Sequence, residues 1–179
     1  MARGFRGRCA RGAVVLMALM TSVQAFAAAT GGQVGALTIR PLGIVKTDDL
    51  DFGTMLPGIG GNVTINAQTG ARTTAGPVLA PGAFGPGRFL VAATPLRIIT
   101  LSINPNNNLV LNRVGGGGSM TASQFRISYN NGAAVPVGPN FAIPLTGLVT
   151  IQMGGRLGVG NNQAEGVYEG IFTMTVNYQ

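Results

Sequence analysis

The last twelve residues constrain the fold most, because Tyr168, Gly170, Phe172, Met174, Val176 and Tyr178 recur at every second position up to the penultimate residue. A period of two marks a β-strand with one buried face. The pattern predicts a strand over 171–178, with Phe172, Met174, Val176 and Tyr178 turned to the core and Thr173, Thr175 and Asn177 turned away. Chain termini stay ordered only when something ties them down, so an apolar strand running to the end of the chain implies a structural or recognition duty.

The opposite end predicts where the protein goes. Arg3, Arg6, Arg8 and Arg11 precede an apolar run over 13–20, and the small residues Ala25 and Ala27 follow. Basic, then apolar, then small-x-small reads as a secretory signal peptide over 1–27, leaving a mature domain of 28–179. The apolar run is well short of the roughly 20 residues of a spanning helix, and no second run of that length follows. The expected location is the periplasm, the cell surface or the medium. Cys9, the only cysteine, leaves with the leader, so the domain is expected to rely on its core without disulfides. The formal charge of +7 is largely the leader's: eight basic residues against five acids leave +3 on the rest. Those eight are scattered singly from Arg40 to Arg156 and do not form the cluster that nucleic acid requires.

Punctuation decides the class. With 29 glycines and 10 prolines in 179 residues, the segments between turn signals are short, and none sustains a helical period. That pattern predicts an all-β domain. Strands are expected over 37–46, 63–66, 88–93, 97–104, 109–112, 123–129, 148–153 and 171–178. Ile99, Leu101 and Ile103 alternate with Thr100 and Ser102; Phe125, Ile127 and Tyr129 alternate with Arg126 and Ser128; Val149, Ile151 and Met153 alternate with Thr150 and Gln152. One apolar face per strand at this spacing predicts two antiparallel sheets over a single core, an immunoglobulin-like β-sandwich. The clusters 57–61, 104–108 and 115–118 read as turns, and 77–87 as a Pro/Gly-rich loop.

The inventory for catalysis is poor. There is no histidine, and the only acids are Asp48, Asp49, Asp51, Glu165 and Glu169, whereas acid–base and nucleophilic catalysis need a tuned base near the reacting group. Glu165 and Glu169 flank the approach to the final strand and read as solvated charge. Asp48, Asp49 and Asp51 offer oxygen ligands of the kind calcium takes, without the spacing of an EF-hand loop. Glycine clusters at 115–118 and 154–158 lack the following helix of a phosphate cradle. No catalytic residue, cofactor or metal is expected. Charged residues make up 9% of the chain against roughly a quarter in average soluble proteins, and a neutral polar surface favours self-association.

Three stretches carry a resemblance. Leu50-Asp51-Phe52-Gly53-Thr54, Met153-Gly154-Gly155-Arg156-Leu157 and the tail from Gly166 through Tyr168, Gly170, Phe172, Val176 and Tyr178 resemble a family of uncharacterised Gram-negative secreted domains. That family reads L-D-F-G near its start, then V-G-G-x-L, and closes on Y-x-G-x-F-x-V-x-V-x-Y. The tail also resembles chaperone–usher pilus subunits, which carry a penultimate tyrosine and a glycine at the fourteenth residue from the end, here Tyr178 and Gly166. This second resemblance implies a sandwich lacking one strand, a periplasmic chaperone on the C-terminal strand, and a neighbour's N-terminal extension that later fills the groove. Gly166, Tyr168, Phe172, Met174, Val176 and Tyr178 would then form the assembly strand, with Leu37 and Ile39 as donor positions. The leading expectation is a secreted non-enzymatic subunit assembled through its edge strands. The alternative is a self-complete binding module that recognises carbohydrate or another surface through polar loops such as 104–108.

Overall fold

The computed structural model describes Thr38 and residues 40–179; the expected leader and the donor positions Leu37 and Ile39 lie outside the described residues. In chain order the strands are β1 (Gly43–Asp48), β2 (Met55–Leu56), β3 (Gly61–Ile65), β4 (Arg72–Ala75), β5 (Val78–Leu79), β6 (Gly87–Ala92) and β7 (Ile98–Asn104). They continue with β8 (Leu109–Arg113), β9 (Ser119–Tyr129), β10 (Val135–Pro136), β11 (Asn140–Ala142), β12 (Leu148–Val159), β13 (Tyr168–Glu169) and β14 (Thr173–Tyr178). All pairings between them are antiparallel. One large sheet runs β1-β6-β12-β9-β8-β13, with β3 also on β12, β4 on β3 and β10 on β9; a smaller sheet runs β11-β7-β14, and β2 pairs with β5.

The two main sheets share one core. Ile99, Leu101 and Ile103 of the small sheet join Val63, Val91, Ile127, Ile151 and Met153 of the large one in a single buried cluster. The alternation expected from the sequence is present: Ile99, Leu101, Ile103, Val149, Ile151 and Met153 are buried, while Ser102 and Thr150 are exposed. Each strand thus gives its apolar face to the space between the sheets, and the architecture is a β-sandwich. Among the described residues no helix is long and apolar enough to cross a membrane.

The spine is the pair of long strands β9 and β12. Over Leu148–Met153, β12 pairs with β6; over Gly155–Val159 the same edge pairs with β3. The change of partner falls where the register with β9 slips, between Gly154 and Arg156, with Gln124 across the slip at φ 52°. A bulge of this kind bends a strand and strengthens its twist. Gly154 and Gly155 make the bend sterically open. A Cβ on Gly154 would collide with the Ile65 carbonyl oxygen and stand 2.6 Å from the Ala67 nitrogen, and one on Gly155 would stand 2.8 Å from the Phe125 ring. The glycine pair therefore lets the 65–67 turn lie directly against β12.

Several expectations need correction. The strand expected over 148–153 does not stop at the glycines but runs on to Val159, and the strand expected from 123 begins at Ser119. The region 77–87 is not all loop, because Val78–Leu79 pairs with Met55–Leu56. Ser128 is fully buried although alternation placed it opposite the apolar face. Its hydroxyl donates to the Gly132 carbonyl at 2.6 Å, so the turn after β9 covers it and satisfies it. At the end of the same strand, the Tyr129 ring lies 3.9 Å from that of Phe141. Its hydroxyl is buried without a hydrogen-bond partner, and burial raises its pKa from 10.0 to about 12.

Two outcomes follow from these contacts. Gly154→Ala is expected to destabilise the domain by about 1–3 kcal/mol through overpacking, whereas Gly43→Ala, which meets nothing within 4 Å, is expected to be neutral; chemical denaturation of both variants compares them. Tyr129 holds its proton more tightly folded than unfolded, so stability is unaffected below pH 10 and falls as pH rises from about 10 to about 12. That loss has a limiting slope of about 1.4 kcal/mol per pH unit. Ultraviolet titration should show a phenol ionising near pH 12 that is missing from Tyr129→Phe.

Candidate functional site

The closing alternation is not one strand. Tyr168 and Glu169 pair with Arg113 and Asn112 of β8 in the large sheet, whereas Thr173–Tyr178 pairs residue by residue with β7 in the small one. The chain crosses between the sheets over Gly170, Ile171 and Phe172. A Cβ at Gly170 would stand 2.8 Å from the Val110 carbonyl oxygen, so the crossing hugs β8 and needs glycine there. Ile171 is left exposed, and Phe172 packs edge-on against Phe89, with ring centroids 6.0 Å apart and planes at 70°. The tail is therefore a brace that joins both layers.

Within β14, Met174, Val176 and Tyr178 are half-buried and Thr173, Thr175 and Asn177 exposed, as the alternation requires. The Tyr178 hydroxyl donates to the Arg40 carbonyl at 2.9 Å and accepts from the Thr94 N–H at 2.8 Å. Arg40 N–H in turn donates to Thr94 Oγ1 at 2.6 Å. The penultimate tyrosine thus fastens the chain end to the entry of the domain and to the end of β6.

Gly166 and Tyr168 lie on the far side of the crossing. Gly166 has φ 146°, and a Cβ there would stand 2.6 Å from Arg113 Nε. Arg113 donates from Nε to the Glu165 carbonyl at 2.5 Å and from Nη1 to the Gly116 carbonyl at 2.8 Å. The Tyr168 hydroxyl donates to the Ala164 carbonyl at 2.6 Å and accepts from Gln163 Nε2 at 2.8 Å. These two residues pin the loop ahead of β13 to the β8–β9 hairpin. The structure brings together Phe172, Met174, Val176 and Tyr178 but not Gly166 or Tyr168.

A groove of about 370 Å³ opens between β1 and β14, lined by Ile44, Lys46, Phe89, Phe172 and Met174. Both bordering strands end their sheets, yet the two edges differ. β1 is interrupted by a register slip between Lys46 and Asp48, and Lys46 shares a strand face with Ile44 opposite Phe89 while its side chain stays 55% exposed. Its ammonium pairs with Asp49 Oδ1 at 2.6 Å. A lysine on the edge strand and a bulge are devices that keep a sheet edge from pairing. β14 has neither, and its six residues hold an unbroken register with no charged side chain. The place of Lys46 two residues after Ile44 is the sequence signal that puts it on the same strand face.

The sequence matches the domain of unknown function DUF4402 over residues 42–178, from the residue before β1 to the last residue of β14. The chain belongs to the DUF4402 family. No curated protein and no solved structure matches it.

In this DUF4402 domain, the L-D-F-G stretch, Leu157 and the start of the tail at Gly166 and Tyr168 line a second hollow, a cleft of about 650 Å³ bounded by Leu50–Gly58, Leu157 and Gln163–Tyr168 among others. The L-D-F-G stretch has a structural logic. Asp51 Oδ1 accepts the Gly53 N–H at 2.7 Å, and the Asp51 and Gly85 backbones exchange two hydrogen bonds of 2.9 Å. Phe52 enters the core, and Gly53 takes φ 77° where a Cβ would stand 3.0 Å from the Ala83 carbonyl. Arg72 then donates to the Phe52 carbonyl at 3.3 Å and the Ala80 carbonyl at 3.1 Å, with its guanidinium 4.3 Å over the Phe84 ring. The Asp49 and Asp51 carboxylates are thus engaged within the protein, and no group of three or more metal-ligating side chains occurs among the described residues. Glu165 and Glu169 are both exposed.

Tyr178→Phe deletes the bonds to Arg40 and Thr94 while keeping the ring in place. It is expected to lower stability by about 1–2 kcal/mol, read as a drop in melting temperature, with hydrogen exchange rising first at Thr94.

Proposed function

We propose that this chain is a secreted, non-enzymatic structural subunit, pilin-like or of another cell-surface type, that assembles by accepting a further strand on the open edge of β14. The carrying observation is a contrast among the edges. β10 and β13 are two residues long, β11 is three, and β4 is four with Arg72 at its start; β1 has its bulge and Lys46. Short, charged or bulged edges resist pairing, while a long uncharged one invites it. β14 alone among these presents six uncharged residues in continuous register. Strand addition would supply main-chain hydrogen bonds for affinity, with alternate side chains entering the adjoining groove for specificity.

The same chemistry suits a periplasmic chaperone that covers the edge before assembly, and the immunoglobulin-like description of the sandwich belongs to this reading. The low charge content, 9% of residues, supports it by reducing repulsion between copies. The lack of histidine supports a non-catalytic role.

Lysines at the exposed positions Thr175 and Asn177 test the proposal, since neither side chain enters the core. The wild-type protein is expected to form oligomers or filaments in light scattering, and Thr175→Lys with Asn177→Lys to shift it to monomer with its melting temperature retained. A wild-type protein that stays monomeric at every concentration, with or without a co-expressed chaperone, would sink the proposal.

A further inference from the structure

The bend in β12 creates a site distinct from the β14 edge. Beside Gly155 lies a pocket of about 490 Å³ whose lining includes Asn66, Asn107, Gln124, Arg126 and Arg156, a volume typical of small-molecule sites. Register explains how the arginines come together. Arg126 sits opposite Gly154 and Arg156 opposite Ser123, so they flank the bulge from the two neighbouring long strands. Gly155 and the 64–67 segment, which the glycine pair lets lie against β12, form part of the pocket wall.

The polar groups of this pocket are matched in an unusual way. Asn66 Oδ1 accepts two backbone N–H groups, from Gln68 at 2.8 Å and Thr69 at 3.0 Å, and Asn107 Oδ1 accepts the Gln124 N–H at 2.9 Å. Only an oxygen can accept those bonds, so both amides are oriented, and neither NH2 group donates a hydrogen bond among the described residues. Arg126 uses Nη2 to hold the Ala134 carbonyl at 2.9 Å, which fixes its fork. Arg156 makes no side-chain hydrogen bond among the described residues, and neither arginine has a carboxylate partner there. No acidic residue lines the pocket. Two guanidinium groups and the NH2 groups of Asn66 and Asn107 therefore stand at this pocket as hydrogen-bond donors.

A donor-rich, doubly positive pocket calls for an oxyanion, which guanidinium groups bind through charge-assisted and often bidentate hydrogen bonds. The amides of Asn66 and Asn107 extend the donor surface beyond that charge, and their natural complements are the oxygens of a polyhydroxyl body. We propose that this pocket binds an acidic saccharide, its carboxylate held by Arg126 and Arg156 and its hydroxyl oxygens by Asn66 and Asn107. The site uses no residue of β14, so it stands or falls independently of strand assembly.

The test is calorimetric titration of the whole exported protein with glucuronate, glucose and inorganic phosphate. Glucuronate is expected to bind and glucose not, with affinity falling as salt rises. Arg156→Ala should weaken glucuronate by on the order of tenfold or more without moving the melting temperature, because Arg156 holds no other part of the described protein. Arg156→Lys should restore only part of the loss, and Arg126→Gln, checked for folding by its melting curve, should weaken binding similarly. Absence of glucuronate binding, equal binding of glucose, tighter binding of phosphate than of glucuronate, or undiminished binding by Arg156→Ala would each overturn the assignment.

Discussion

The structure depends on the close approach between the 65–67 turn and the glycine pair of β12. At Gly154 the backbone of one segment occupies the space that any side chain would need. Because that contact is possible, one edge of β12 serves two partners in succession, β6 and then β3, while β9 follows the other edge through the bulge. At the bend β3 takes over from β6, and Arg126 and Arg156 come to lie on either side of a hollow. The close contact of the 65–67 turn with β12 is thus a consequence of two missing side chains.

The tail performs the complementary task. β13 completes the large sheet, β14 completes the small one, and the crossing between them packs Phe172 on Phe89. The final fastening is the Tyr178 hydroxyl, which reaches back to Arg40 and Thr94. Contacts between residues this far apart in sequence form only after long loops have closed. The layers therefore become mutually braced when the end of the chain docks.

Much of this is legible in the sequence because burial imposes the period directly. Ile99 to Ile103, Val149 to Met153 and Met174 to Tyr178 each face the core as their spacing predicts. The failures have a common cause: glycine is ambiguous. At Gly154 and Gly155 it reads as a strand end but permits a strand to bend. At Gly170 it reads as one more position in an alternation but marks the crossing that splits the tail in two. Ser128 departs from its expected face because a turn folds over it, a tertiary event that local period cannot encode. Two-residue pairings such as β2 with β5 carry too few residues to display any period. The donor character of the polar pocket was also hidden, since it arises from what Asn66 and Asn107 have already bonded.

The inequality between β1 and β14 bears on the symmetry of anything built from this chain. Two copies meeting β14 to β14 in antiparallel fashion would be related by a two-fold axis, and such a pair closes and stops. Endless growth requires two unlike surfaces on each copy, so that every newcomer presents again what it has just consumed. Among the described residues only one long edge is left unguarded, so under the proposed assembly it would be one half of such a pair. A fibre grown on β14 would have a direction, with a distinguishable leading and trailing end, and its second surface would have to come from a strand other than β14 itself.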